Sequence, residues 1–260
     1  MNNATAETAL QSIWSEIVET LPLPVLILGV LWLLVMIAVP IWKWVLAERG
    51  ERIGISLGVL FQAATVAVLL GTTGMAAWRL VLILLGIPIL GWLVERIGSQ
   101  TGIPFGRYHY TDVLQPQIAH VPVIIPLAWL MMIPPSWAVA NLILPDAPRI
   151  LVAAIAGAAF TAWDLYLDPQ MVRWKFWEWD QPGRYVGIPF VNFFGWWLAG
   201  TLISLLLLPP SLPAAPLFAI YVLTWLLELG GQAMFWKLRT SAVVGFLGMG
   251  LFVVLTLVTG

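Results

Sequence analysis

Eight apolar runs leave this chain few ways to fold. They fall at roughly 23–46, 54–71, 76–94, 121–143, 149–167, 187–208, 214–230 and 241–259. Each is long enough to cross the about 30 Å of hydrocarbon in a bilayer. None shows the alternation of a transmembrane β-strand, which argues against a barrel. In lipid the backbone must satisfy itself, so helix is the structure left. The expectation is an all-α fold: a polytopic membrane helix bundle of about eight transmembrane helices. It forms a single integral membrane domain over 1–260, with an N-terminal extramembrane segment at 1–21. Composition agrees, because only 10% of residues are charged, where a soluble domain carries about a quarter. The mean hydropathy is +0.94.

Several function classes drop out at once. A net charge of −1 makes nucleic acid an unexpected partner. With no cysteine there is no disulfide, thiolate chemistry or cysteine metal site. The first twenty residues carry Glu7, Glu16 and Glu19 and no Lys or Arg, the opposite of a cleaved signal.

Charge placement orients the chain. Lys43, Arg49, Arg52, Arg96, Arg107, Arg173, Lys175, Arg184, Lys237 and Arg239, ten of the twelve basic residues, follow the first, third, fifth and seventh runs. Only Arg79 and Arg149 fall on the other side. The positive-inside rule then puts these four loops in the cytoplasm and both termini on the non-cytoplasmic side. Glu95, His120, Asp164, Asp168 and Glu228 all come to lie near the cytoplasmic boundary. Prolines at 40, 88, 122, 126, 134, 135 and 189 open room for a cavity where neighbours satisfy the freed carbonyls. The run HVPVIIPLAWLMMIPP predicts a bent or broken fourth helix. GIPF occurs at 102–105 and again at 187–190, each near a GRY, a weak sign of two similar loops.

The densest concentration of acids and tryptophans lies in 159–200. Asp164 and Asp168 are four residues apart and share a helix face. A carboxyl at that depth resists ionisation, which suits a general acid. The plainer reading is that Asp168 ends the helix before Pro169 while Asp164 pairs with an Arg or a Trp N–H. Glu95 is either a catalytic partner or half of an ion pair with Arg96. Glu228 reads as a helix-end acid held by a backbone or Lys contact. His109 and His120, the only histidines, have no metal-ligand spacing, and no metal site is expected. Tyr108 and Tyr110 sit in a structured loop and can donate or relay protons. Trp174, Trp177 and Trp179 alternate with charges, as in a segment lying among lipid headgroups. The other reading has some of these rings line a pocket with Trp163, Phe190, Phe193, Phe194, Trp196 and Trp197, whose faces stabilise a cation. Asn192 is a polar group on an apolar helix and can orient a water.

The blocks ERIGSQTGIPFGRYHYTD, HVPVIIPLAWLMM, DLYLDP and GRYVGIPFVNFFGWW, in this order, resemble those of the carotenoid 1,2-hydratases. These are bacterial and archaeal membrane carotenoid biosynthesis proteins. The likeness covers about 90–200, which marks that stretch as the functional core. It implies a hydro-lyase of carotenoid biosynthesis. Such an enzyme adds water, without a cofactor, to the terminal C1=C2 bond of a carotenoid ψ-end group of the lycopene or γ-carotene type. The product is a tertiary alcohol at C1. In archaeal members of the family the substrate is a C50 carotenoid. Asp164 or Asp168 is then the acid, and Glu95 or the other Asp holds the water. The substrate lies against Trp163, Tyr108, Tyr110, His120, Phe190, Asn192, Phe194, Trp196 and Trp197. The implied partners are an apolar carotenoid from the bilayer, water and a carotenoid glycosyltransferase. The implied place is the bacterial cytoplasmic membrane, with the site near its cytoplasmic face. A membrane lycopene cyclase, a polyprenyl transferase and a transporter or scaffold are the competing readings. The transferase needs a second acidic cluster that this chain lacks.

Overall fold

The structure is a computed structural model that describes residues 21–259. The expected extramembrane segment lies almost wholly outside the described residues. Among the described residues eight helices are long and apolar enough to cross a membrane. They are α1 (Leu23–Leu46), α2 (Glu48–Gly71), α3 (Ala77–Thr101), α4 (Ile124–Ile143), α5 (Arg149–Arg173), α6 (Phe190–Leu207), α7 (Ala214–Gly230) and α8 (Arg239–Thr259). A π-helical turn, Gly231–Phe235, extends α7. Among the described residues the strands are β1 (Tyr108–Tyr110), β2 (Gln117–Ile118), β3 (Val121–Pro122) and β4 (Trp177–Trp179).

Boundaries differ from the apolar runs where polar residues keep helical geometry past the apolar stretch. α2 begins at Glu48, α3 continues to Thr101 and α5 to Arg173. α4 and α6 start three residues later than their runs. Val121–Pro122 instead pairs with Gln117–Ile118, and Pro189 caps α6.

The prolines are absorbed rather than breaking helices. α4 is one helix that contains both Pro134 and Pro135, so the predicted break does not occur. A proline at position i leaves the carbonyl of i−4 without its donor. The carbonyl freed by Pro135 is that of Met131, and Gln62 Nε2 points at it from α2 at 3.4 Å. Pro169 lies inside α5, so Asp168 does not end that helix. The carbonyl freed by Pro169 is that of Leu165, and it accepts the Tyr185 hydroxyl at 2.8 Å.

α4 is the buried centre of the bundle: Trp129, Met132, Trp137 and Ala138 are fully covered. It packs chiefly on α2, α3, α5 and α7, and also touches α8 and α6. α5 packs closely on α6 because Gly157 carries no side chain; a Cβ there would meet the Trp197 carbonyl at 2.7 Å. Arg79 and Arg149 line one shallow groove at one end of the bundle, with Pro209 and Pro210. The other basic residues, on helix ends and in the loops between them, lie at the opposite end, as alternating spans require.

Candidate active site

At the basic-loop end the helices enclose a cavity of about 100 Å³. Every helix except α8 contributes to it, and always by the same end. The walls are mostly apolar and aromatic. Among the described residues they hold Glu95, Asp168 and Glu228 but no Lys, Arg or His.

β1 and β4 close the cavity. They pair antiparallel, Tyr108 opposite Trp179 and Tyr110 opposite Trp177. Side chains alternate across a strand, so these four rings line the cavity. His109 and Glu178 face outward, and His109 Nδ1 stands 3.4 Å from Asp180. The headgroup reading of the tryptophans is therefore replaced. Trp174, Trp177 and Trp179 are buried; strand pairing turns Trp177 and Trp179 inward, and Trp174 sits at the C-terminal cap of α5. The YHY and WEW alternation is the period-2 signal of a strand, and it was available in the sequence.

Glu95, in the last two turns of α3, is 3% exposed. It accepts hydrogen bonds from the hydroxyls of Tyr108 and Tyr110 (2.8 Å for Tyr110) on Oε2 and from Trp129 Nε1 on Oε1 at 3.1 Å. None of the three partners is a cation, so Glu95 is not paired with Arg96. Burial, and next the Glu95 charge, push both phenols well above the usual tyrosine range, so they remain donors.

Asp164 and Asp168 project from one face of α5 toward α6. Asn192 Nδ2 donates to Oδ2 of both, 2.9 Å to Asp164. Trp177 Nε1 donates to Asp168 Oδ1 at 3.1 Å. The two carboxyl groups thus share one amide donor. Only Asp168 reaches the cavity wall; Asp164 sits behind it with Oδ1 unpartnered among the described residues. Neither an Arg nor a Trp N–H holds Asp164. Trp196 stacks on Trp129 with ring centres 5.1 Å apart and meets Trp163 edge-on at 6.2 Å.

The structure thus gathers Glu95, Asp168, Tyr108, Tyr110, Trp163, Asn192 and Trp196 around one cavity. It leaves four expected contacts outside. His120 is exposed on the β2–β3 turn, with positive φ. Phe190 and Phe194 are 68% and 58% exposed on the outer face of α6. Trp197 points at α5, donating to the Ala154 carbonyl at 3.2 Å. The two GIPF segments part company in the same way, since Phe105 is buried in the cavity wall while Phe190 is not. Trp129, Gln62 and Gln170 were not anticipated. Glu228 is held by neither Lys nor backbone; its neighbour is the amide of Gln232 at 3.4 Å.

Fold and site define an integral membrane helical bundle with carboxyl groups set in an aromatic, apolar cavity. The chain belongs to the carotenoid biosynthesis protein family, whose sequence pattern matches residues 53–254. It is similar to the bisanhydrobacterioruberin hydratase of Haloarcula japonica, 28% identical over 110 residues. That match spans 41% of this chain and 37% of the archaeal protein. No solved structure matches.

Proposed function

We propose that the protein hydrates the terminal C1=C2 bond of a carotenoid ψ-end group, with Asp168 as the acid. The observation that carries this is the pairing of Asp168 and Glu95 in one aromatic cavity without a cationic side chain. Such walls suit an uncharged polyene and offer no counter-charge to a diphosphate. The hydratase likeness supports the same chemistry.

The Asp164–Asp168 pair holds one proton between its carboxyl groups, and Asn192 keeps both oriented. Asp168 delivers that proton to C2. The π electrons form the new C2–H bond and leave a tertiary cation at C1. The faces of Trp129, Trp163, Trp177 and Trp196 stabilise it, by roughly 0.5–2 kcal/mol each. Water adds to C1, and the Glu95 carboxylate takes the proton that the oxonium loses. Tyr108, Tyr110 and Trp129 hold Glu95 in place for this step. Return of that proton to the aspartate pair completes net addition of water. The polyene reaches the cavity from the bilayer, and the site faces the cytoplasm.

The test is pigment analysis by liquid chromatography and mass spectrometry after co-expression with a supply of lycopene or γ-carotene. The expected product is more polar and heavier by one water. Asp168→Asn abolishes it, and Asp164→Asn reduces it about 10²–10⁴-fold, the range of general acid catalysis. An isomer of unchanged mass means cyclisation and overturns the reading, as does full activity in Asp168→Asn.

A further inference from the structure

The cavity has a second polar wall that the chemistry at Asp168 and Glu95 does not use. It consists of Gln62 on α2, Gln170 on α5 and Glu228 on α7. Gln62 and Gln170 are 2% and 5% exposed. The amide of Gln62 is committed to the Met131 carbonyl and Thr224 Oγ1, each at 3.4 Å. Its carbonyl oxygen accepts from no donor among the described residues. Gln170 Oε1 accepts from Gln232 Nε2 at 3.3 Å, and the Gln170 amide donates to nothing among the described residues. Glu228 Oε2 takes the same Gln232 amide at 3.4 Å, and its other oxygen is unpartnered there too.

Gln232, fully buried in the π-helical turn, fixes this arrangement. Its Nε2 also donates to the Tyr166 carbonyl at 2.7 Å, and its Oε1 accepts the Ser241 hydroxyl. Inserted π turns often mark functional positions. One free acceptor, one free donor and one free carboxyl oxygen thus meet the same cavity from three helices. Buried polar groups of this kind are satisfied by ordered water, which needs two to four such partners. A hydrocarbon satisfies none of them.

We propose that Gln62, Gln170 and Glu228 form a water-holding subsite that supplies the water captured at C1. The inference rests on the hydration reading. A polyene end filling the aromatic half of the cavity shuts out water from the lipid side. Glu228 lies in the last turn of α7 and Gln62 well inside α2, so the wall leads water inward from the polar boundary.

The test uses the full-length chain in lipid nanodiscs, lycopene as probe, and D₂O as solvent. Asp168 then delivers a deuteron to C2. If water is at hand, the C1–O bond forms and the Glu95 carboxylate takes the deuteron that the oxonium loses. If not, C2 returns its original proton to the carboxylate, and the double bond re-forms carrying deuterium. Gln62→Met, Gln170→Met and Glu228→Gln, made singly, preserve side-chain size. Each is expected to lower the ratio of tertiary alcohol to C2-deuterated lycopene about tenfold, with deuterium exchange intact. That exchange also reports a folded site. Lycopene has no oxygen, so the effect cannot arise from binding a substrate hydroxyl. Wild-type protein that hydrates lycopene, with ratios unchanged in all three variants or with both rates falling in step, overturns the water subsite alone. Wild-type protein that forms no alcohol overturns the hydration reading and the subsite with it.

Discussion

Asp164 and Asp168 stand one turn apart on α5, yet they have different surroundings. Asp168 meets the cavity and the Trp177 N–H, while Asp164 lies behind it, and among the described residues its side chain accepts from Asn192. Tyr185 secures the same turn from outside by donating to the Leu165 carbonyl that Pro169 frees. Burial, then the charges of Asp164 and Asp168, push the Tyr185 hydroxyl above its usual range. With Tyr108 and Tyr110, it therefore stays a neutral donor at pH values where an ordinary tyrosine ionises. The stability linked to these shifts is complete below about pH 10, the unfolded value, and is lost as pH rises through the raised folded values. An alkaline titration followed by phenolate absorbance should show these three ionising late or only on unfolding. Tyr185→Phe should strip the Leu165 carbonyl of its donor and cost about 1 kcal/mol, read as a lower Tm in detergent.

At the scale of elements, the contact of α5 with α6 sets the site, because it carries Asp164 and Asp168 on one helix and Asn192 and Trp196 on the other. It depends on close approach at Gly157 and at Gly200, where a Cβ would meet the Phe160 ring at 2.9 Å. Small residues at a helix interface let backbones approach, and dispersion does the rest in lipid. Gly157→Leu should force the pair apart and destabilise the protein by about 1–3 kcal/mol, with hydration lost before the fold. Thermal unfolding and pigment assays on one preparation separate the two effects. The β1–β4 ribbon is the other decisive element. Two strands of three residues are not stable alone, and here they rest on the cavity they close.

For the whole molecule, the placement of charge predicts orientation. The chain contains no cysteine, so single cysteines report sidedness cleanly. Gln181→Cys lies at the basic-loop end and Ser211→Cys at the other, both exposed. In intact cells a membrane-impermeant maleimide should label Ser211→Cys and leave Gln181→Cys unlabelled until the cells are opened. The reverse pattern would invert the topology and put the cavity on the outer face.

The apolar runs alone determine the helix count, because lipid leaves an apolar segment no other way to satisfy its backbone. The i, i+4 spacing of Asp164 and Asp168 already puts them on one face, and blocks of residues already carry the family likeness. Which acid meets the cavity is a tertiary matter, decided by the rotation of α5 against α6. The same holds for Trp129 on Glu95 and Gln62 on Met131, partners 34 and 69 residues apart. Outward positions such as Phe190 and Phe194 look no different in sequence from inward ones, because in a bilayer both faces of a helix are apolar. Only packing against α5 turns Asn192 and Trp196 inward and leaves those two phenylalanines to the lipid.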